Sequence, residues 1–148
     1  MSAATVRQKI EIPYHYTTGP AVGRFLLALK ARTILAGVCP ECGRASLPPL
    51  STCGRCFKPV TEFREVGPQG TLESFAALPE PVSELPDAAL PVVYVLVRLD
   101  GAGEARLAHL VRAQGPEALR CGARVEAVWR EERRGSILDI AWFRVVAA

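Results

Sequence analysis

The sequence predicts a mainly β protein with one N-terminal helix, in which a rubredoxin-like, cysteine-clasped ribbon precedes a small five-stranded closed sheet. Three observations carry this expectation. Residues 39 to 56, CPECGRASLPPLSTCGRC, hold four of the five cysteines in two Cys-x-x-Cys pairs. An apolar stripe at helical spacing comes before them. Beyond residue 61, five strand-like runs follow within about 75 residues, and no strong helical pattern separates them.

The chain opens on a segment read as an arm. EIPYHYTTGP is turn-like and brings Tyr14, His15 and Tyr16 together, a grouping that suits packing or docking better than a pocket. Thr18 is placed to cap a helix, and Pro20 falls in the first turn, where its missing N–H does no harm. Val22, Phe25, Leu26 and Leu29 then recur on one face, and Gly37 is the expected stop. That stripe suits either the protein's own core or a partner. Arg24, Lys30 and Arg32 fall elsewhere on the helix surface.

In the cysteine segment, ten residues separate the two pairs, and Gly43 and Gly54 allow the sharp turns that aim two thiolates at one ion. Cys39, Cys42, Cys53 and Cys56 are therefore the expected ligands of a tetrahedral site, with zinc as the first candidate and iron as the alternative. Four thiolates leave no open position for water or substrate, so the expected metal is structural. Cys121, in LRCGARV, has no pairing partner and is read as a small buried residue.

GTLESFAAL begins after the turn Gly67-Pro68-Gln69-Gly70, and PVVYVLVRL is a near-continuous buried run ending at Asp100-Gly101. In RLAHLVR, Leu107, His109 and Val111 share a face; in RVEAVWR, Val125, Ala127 and Trp129 do so. SILDIAWFRVV is read with Leu138, Ile140, Trp142 and Val146 together. Five such strands predict an OB-fold barrel. The Pro- and acid-rich stretch PEPVSELPDAALP is read as a long loop between the first two. The expected organisation is an arm and helix over 1–36, a zinc ribbon over 37–61 and the OB-fold domain over 62–148.

Charge narrows the function. The net charge is +3, but residues 1–61 carry eight basic and two acidic groups, giving +6, whereas residues 62–148 carry ten and thirteen, giving −3. An OB barrel that tracks a phosphate backbone should be basic and rich in aromatics, so a nucleic-acid-binding module is the lesser reading. No nucleophile elbow, phosphate-binding glycine loop or His-Glu-x-x-His motif is present. His109 reads as a core histidine, and no catalytic residue is assigned. No apolar run approaches the ~20 residues of a membrane span, and the N-terminal stretch lacks a signal-peptide pattern. The expectation is a cytoplasmic protein whose thiols stay reduced and available to metal.

The order GPAVGRFLLALK, GVCPECGRASLPPLSTCGRC, GPQGTLESFAAL, LPVVYVLVRLDG, RLAHLVR and GARVEAVW resembles the zinc-ribbon/OB-fold proteins catalogued as domain of unknown function 35. The likeness runs from about residue 14 to 146; its most specific part is the paired cysteines with Pro-Pro between them, followed by GTLESF. The resemblance implies an accessory subunit of acyl-CoA machinery, in a hetero-oligomer with a thiolase-like or other acyl-CoA enzyme. Helix and ribbon would dock to the catalytic partner, and the barrel would help enclose the CoA thioester. It assigns the metal to Cys39, Cys42, Cys53 and Cys56 and supplies no catalytic residue. Arg24, Lys30, Arg32 and Arg44 are then the candidates for CoA phosphates. Phe57-Lys58, after the last ligand, departs from the many relatives that have small residues there. By the same resemblance, a cavity under the long loop at 78–91 is expected to admit an acyl chain. A free-standing acyl-CoA-binding protein is the other alternative.

Overall fold

The computed structural model describes residues 10, 12–78, 92–113 and 119–146. Helix α1 runs over Gly19–Lys30 with Pro20 in its first turn. Thr18 does not cap it. Its backbone is already helical (φ −69°, ψ −15°), so its hydroxyl, which faces the Gly19 carbonyl at 3.5 Å, accepts no helix N–H. Nor does the helix reach Gly37. Arg32 takes the left-handed conformation (φ 61°) that glycine usually supplies at a helix end, and Thr33 N–H turns back to the Ala28 carbonyl at 3.0 Å. Of the expected stripe, Phe25 and Leu29 are buried in the core, Leu26 packs half-buried against it and Val22 is half-buried, so the stripe faces the protein's own interior.

Gly37 instead lies within strand β1 (Ile34–Val38), which pairs antiparallel with β2 (Ala45–Ser46) and, on its other side, with β3 (Glu62–Val66). In that register Ile34 faces Val66 and Val38 faces Glu62. Five further strands form a closed barrel: β4 (Gln69–Leu78), β5 (Val92–Leu99), β6 (Leu107–Arg112), β7 (Arg124–Trp129) and β8 (Ile140–Val145). The order around it is β4-β5-β6-β8-β7, with β6 and β8 parallel and the rest antiparallel. This is a five-stranded OB-fold barrel.

The barrel closes where β4 meets β7, through Gly70↔Val125 and its neighbours. Gly70 is required there: a Cβ would stand 2.6 Å from the Arg98 carbonyl oxygen and 2.9 Å from the Leu99 Cα, both backbone atoms. Val93, Val95, Val97, Leu107, Val111, Val125 and Ala127 point inward. Strand β5, expected as a near-continuous buried run, instead keeps a simple alternation: Tyr94, Leu96 and Arg98 are exposed, because only its inner face meets the core. Strand β8 departs from it. An irregularity between Val128 and Trp129 shifts the register, so Ile140 and Phe143 both enter the core. Leu138 lies in a single 3-10 turn (Ile137–Asp139) and is exposed; Trp142 is half-buried beneath the Arg112 guanidinium, 3.8 Å from its ring centre. Cys121 is exposed, not buried, because it sits in the turn entering β7, beside Gly122 at φ +91°. The long loop expected at 78–91, and any cavity beneath it, fall almost wholly outside the described residues.

One core joins these parts. Phe25 and Leu29 of α1, Ile34 and Ala36 of β1 and Val66 of β3 pack in a single cluster with the barrel interior. The turn before β8 adds a polar clasp. Asp139, 3 % exposed, accepts backbone N–H bonds from Arg134 (3.0 Å), Gly135 (2.8 Å) and Ser136 (3.2 Å). Burial pushes its carboxyl pKa up, but these donors and the Arg133 charge outweigh that and hold it below the ordinary value. Arg133 donates to the Lys30 carbonyl at 2.9 Å, meeting the open end of α1.

Gly70→Ala is expected to destabilise the chain by about 1–3 kcal/mol in urea unfolding, because only backbone can yield. Asp139→Asn should cost about 1–3 kcal/mol near neutral pH. Since the folded-state pKa of Asp139 is lowered, its contribution is complete above the unfolded carboxylate range and fades as pH falls through the folded value. Wild-type and Asn variant stabilities should therefore converge on acidification.

Candidate metal centre

The two Cys-x-x-Cys segments fold into matching knuckles. In the first, Cys39 N–H donates to the Arg44 carbonyl (2.9 Å) and Gly43 N–H to the Cys39 carbonyl (2.9 Å). In the second, Cys53 N–H donates to the Lys58 carbonyl (2.8 Å) and Phe57 N–H to the Cys53 carbonyl (3.0 Å). Each knuckle thus turns through a left-handed residue after its second cysteine: Gly43 at φ 70° and Phe57 at φ 57°. For phenylalanine that conformation costs roughly 1–2 kcal/mol.

The knuckles bring together the four predicted cysteines. Their sulfurs all lie within 4.8 Å of one another, with Cys39–Cys56 at 3.5 Å, Cys42–Cys53 at 3.7 Å and Cys42–Cys56 at 3.8 Å. A tetrahedral ion with metal–sulfur bonds of about 2.3 Å has sulfur–sulfur edges of about 3.8 Å. A disulfide would need about 2.05 Å, and all four thiols are free. Cys39 and Cys53 are buried and, with Val60, form a small core of their own, against which Cys42 and Cys56 pack.

The thiols do not ionise alike. Backbone N–H groups of Cys56 and Arg55 bring Cys53 down to about 6, with the Arg55 nitrogen 3.4 Å from its sulfur. The Lys58 backbone N–H pulls Cys56 the same way, but the Cys39 thiol, burial and the Cys53 and Cys42 thiols together push it up to about 12. Four thiols this close cannot all become thiolates without a cation among them. The donor set therefore fits a bound metal ion, and it can hold one with its coordination filled by protein alone.

The remaining site residues predicted from sequence are dispersed over local structures. Arg24, on α1, lies over the Phe63 ring of β3 at 4.5 Å from its centre. Lys30 closes the last turn of α1, Arg32 is the left-handed residue beyond it, and Arg44 follows the first knuckle; all three are exposed. Arg44 also lines a crevice of about 290 Å³ with Leu50, Cys53 and Val60. His109 is buried, its Nε2 3.1 Å from the Ile137 carbonyl and its ring edge-on to Phe143, as a core histidine. Burial lowers its pKa, against backbone contacts to Ile137 and Leu110 that raise it.

Sequence reasoning did not find the groove beside the 3-10 turn, about 750 Å³, lined by Trp129, Arg130, Arg134, Leu138, Asp139 and Trp142. Its one signal was that both tryptophans fall in the last two strands.

Residues 63–130 match the family model described as ChsH2, C-terminal OB-fold domain. The chain is matched over 68 of its 148 residues, from β3 to just past β7. Among solved structures, it is similar to a chain of the "Ltp2-ChsH2(DUF35) aldolase", at 22 % identity and TM-score 0.69, over 88 % of this chain and 98 % of that one. It is also similar to a DUF35-family protein of unknown function from Sulfolobus solfataricus, at 25 % identity and TM-score 0.61, over 86 % and 85 %. No curated protein sequence matches it. No helix among the described residues is long and apolar enough to cross a membrane.

Purified chain is expected to carry one metal ion, released on acidification as the thiolates protonate. Cys42→Ser should abolish that stoichiometry in elemental analysis and open the knuckles while the emission of Trp129 and Trp142 changes little. Joint collapse of both signals would show that knuckles and barrel unfold as one.

Proposed function

We propose that this chain is a protein of the DUF35 type and a non-catalytic accessory subunit of an acyl-CoA-processing complex, bound to a thiolase-like or related enzyme. The observation that supports the reading is its likeness, over 88 % of its length, to a chain of the "Ltp2-ChsH2(DUF35) aldolase". The closed donor set of Cys39, Cys42, Cys53 and Cys56 agrees with it, since a saturated ion braces a surface and offers substrate no position. Zinc, in a structural role, is the ion proposed.

Docking would use the ribbon and the side of α1 turned away from the core. Leu27, 69 % exposed, and Arg24 lie on that side, because the Phe25–Leu29 stripe is already buried. Arg24, Lys30, Arg32 and Arg44 are proposed to meet CoA phosphates, while the barrel helps to shield the thioester.

A nucleic-acid reading is weaker on charge. On the barrel, Arg98 and Arg106 pair with Glu73, Arg124 with Asp100 and Arg144 with Glu126, so much of its positive charge is answered within the fold.

Affinity purification from the native host is expected to retain an acyl-CoA enzyme at fixed stoichiometry. CoA thioesters offered to the isolated chain should not turn over. A chain that elutes alone, or one that hydrolyses or condenses thioesters unaided, would overturn the proposal.

A further inference from the structure

The two knuckles pose the same backbone problem and answer it differently. Gly43 meets the left-handed turn of the first knuckle with no Cβ to crowd. In the second, the equivalent residue is Phe57, among the bulkiest side chains the chain could place there. Packing does not offset the strain, for the ring is 79 % exposed, more than any other large apolar side chain among the described residues. A strained backbone that presents an unburied aromatic gains nothing within the chain, and such combinations cluster where a surface meets something else.

Its surroundings indicate what that is. Within residues 39–61 the charged groups are Arg44, Arg55 and Lys58 against Glu41 alone, all exposed, and Arg55 and Lys58 flank Phe57 in sequence. One protruding ring framed by cations suits a concave apolar pocket rimmed by carboxylates. A lipid surface would call for a broader apolar face than one ring.

We propose that Phe57 is an anchor residue, held out by the metal-braced second knuckle to insert into an acid-rimmed apolar pocket on a partner protein. The proposal rests on the accessory-subunit reading, and it deepens it by naming the contact and the chemistry of the surface that receives it. The left-handed turn fixes the ring's direction before binding, so little side-chain freedom is lost on docking.

Phe57→Gly separates the two roles of the residue. It relieves the turn and removes the anchor, so the isolated chain should retain metal longer against a chelator while binding the co-purified enzyme at least roughly tenfold more weakly, about 1.4 kcal/mol. Phe57→Trp should restore binding, and Arg55→Glu with Lys58→Glu should weaken it and blunt its salt dependence. If wild type captures the acyl-CoA enzyme and Phe57→Gly does so equally well, the anchor is wrong and the accessory reading stands. If wild type captures no such enzyme, both fall. Binding of wild type, but not Phe57→Gly, to phosphatidylserine vesicles would overturn the protein pocket in favour of a membrane surface.

Discussion

Burial of Phe25, Leu29 and Ile34 in the cluster they share with the barrel interior is the constraint on which the rest of the structure depends. Phe25 is 1 % exposed and Leu29 is 0 %, and each fully buried side chain of this size contributes about 1.5–3 kcal/mol. Through this seam the ribbon is not hung on a free linker. Strand β1 gives Ile34 and Ala36 to the shared core at its root and delivers Cys39 to the thiol cluster just beyond its tip. The metal centre is therefore positioned by the same core that closes the barrel. Because α1 spends its apolar stripe inward, whatever it offers a partner comes from its other side.

Much of this was legible because the residues obey simple periods. The two Cys-x-x-Cys pairs fixed the thiol cluster, and alternation placed Leu107, His109, Val111, Val125 and Ala127 inside. What was missed depended on local backbone geometry that period alone does not carry. Strand β1 was hidden because Gly37 reads as a helix stop, whereas Arg32 had already ended the helix in a conformation sequence rules reserve for glycine. The inward face of β8 was misassigned because one irregularity opposite it brings Phe143 into the core in place of Trp142. Strand β3 was not anticipated, since its exposed Glu62, Arg64 and Glu65 look like a solvated turn until β1 pairs with them.

The candidate site shows the same division. Which cysteines gather follows from spacing, but their inequality does not: Cys53 and Cys56 are driven in opposite directions by which N–H groups and thiols face them. The equivalence of Gly43 and Phe57 likewise appears only once the two knuckles are compared bond by bond. On the barrel, Glu73 accepts from Arg98 at 2.6 Å and also from Arg106, joining charges that are distant in sequence into one exposed group. Such surface pairs add little stability, yet they decide how much free charge the barrel presents.

The bond from Arg133 to the Lys30 carbonyl links residues 103 apart, whereas Cys39 and Cys56 are only 17 apart. On a chain emerging from the ribosome, the four thiols are available long before the residue that finishes the helix has been synthesised. Assembly of the thiol cluster is thus a local, early event, and completion of α1 waits for the last third of the polypeptide. A nascent chain halted near residue 120 would have its four thiols gathered while the helix end, lacking its guanidinium, stayed frayed.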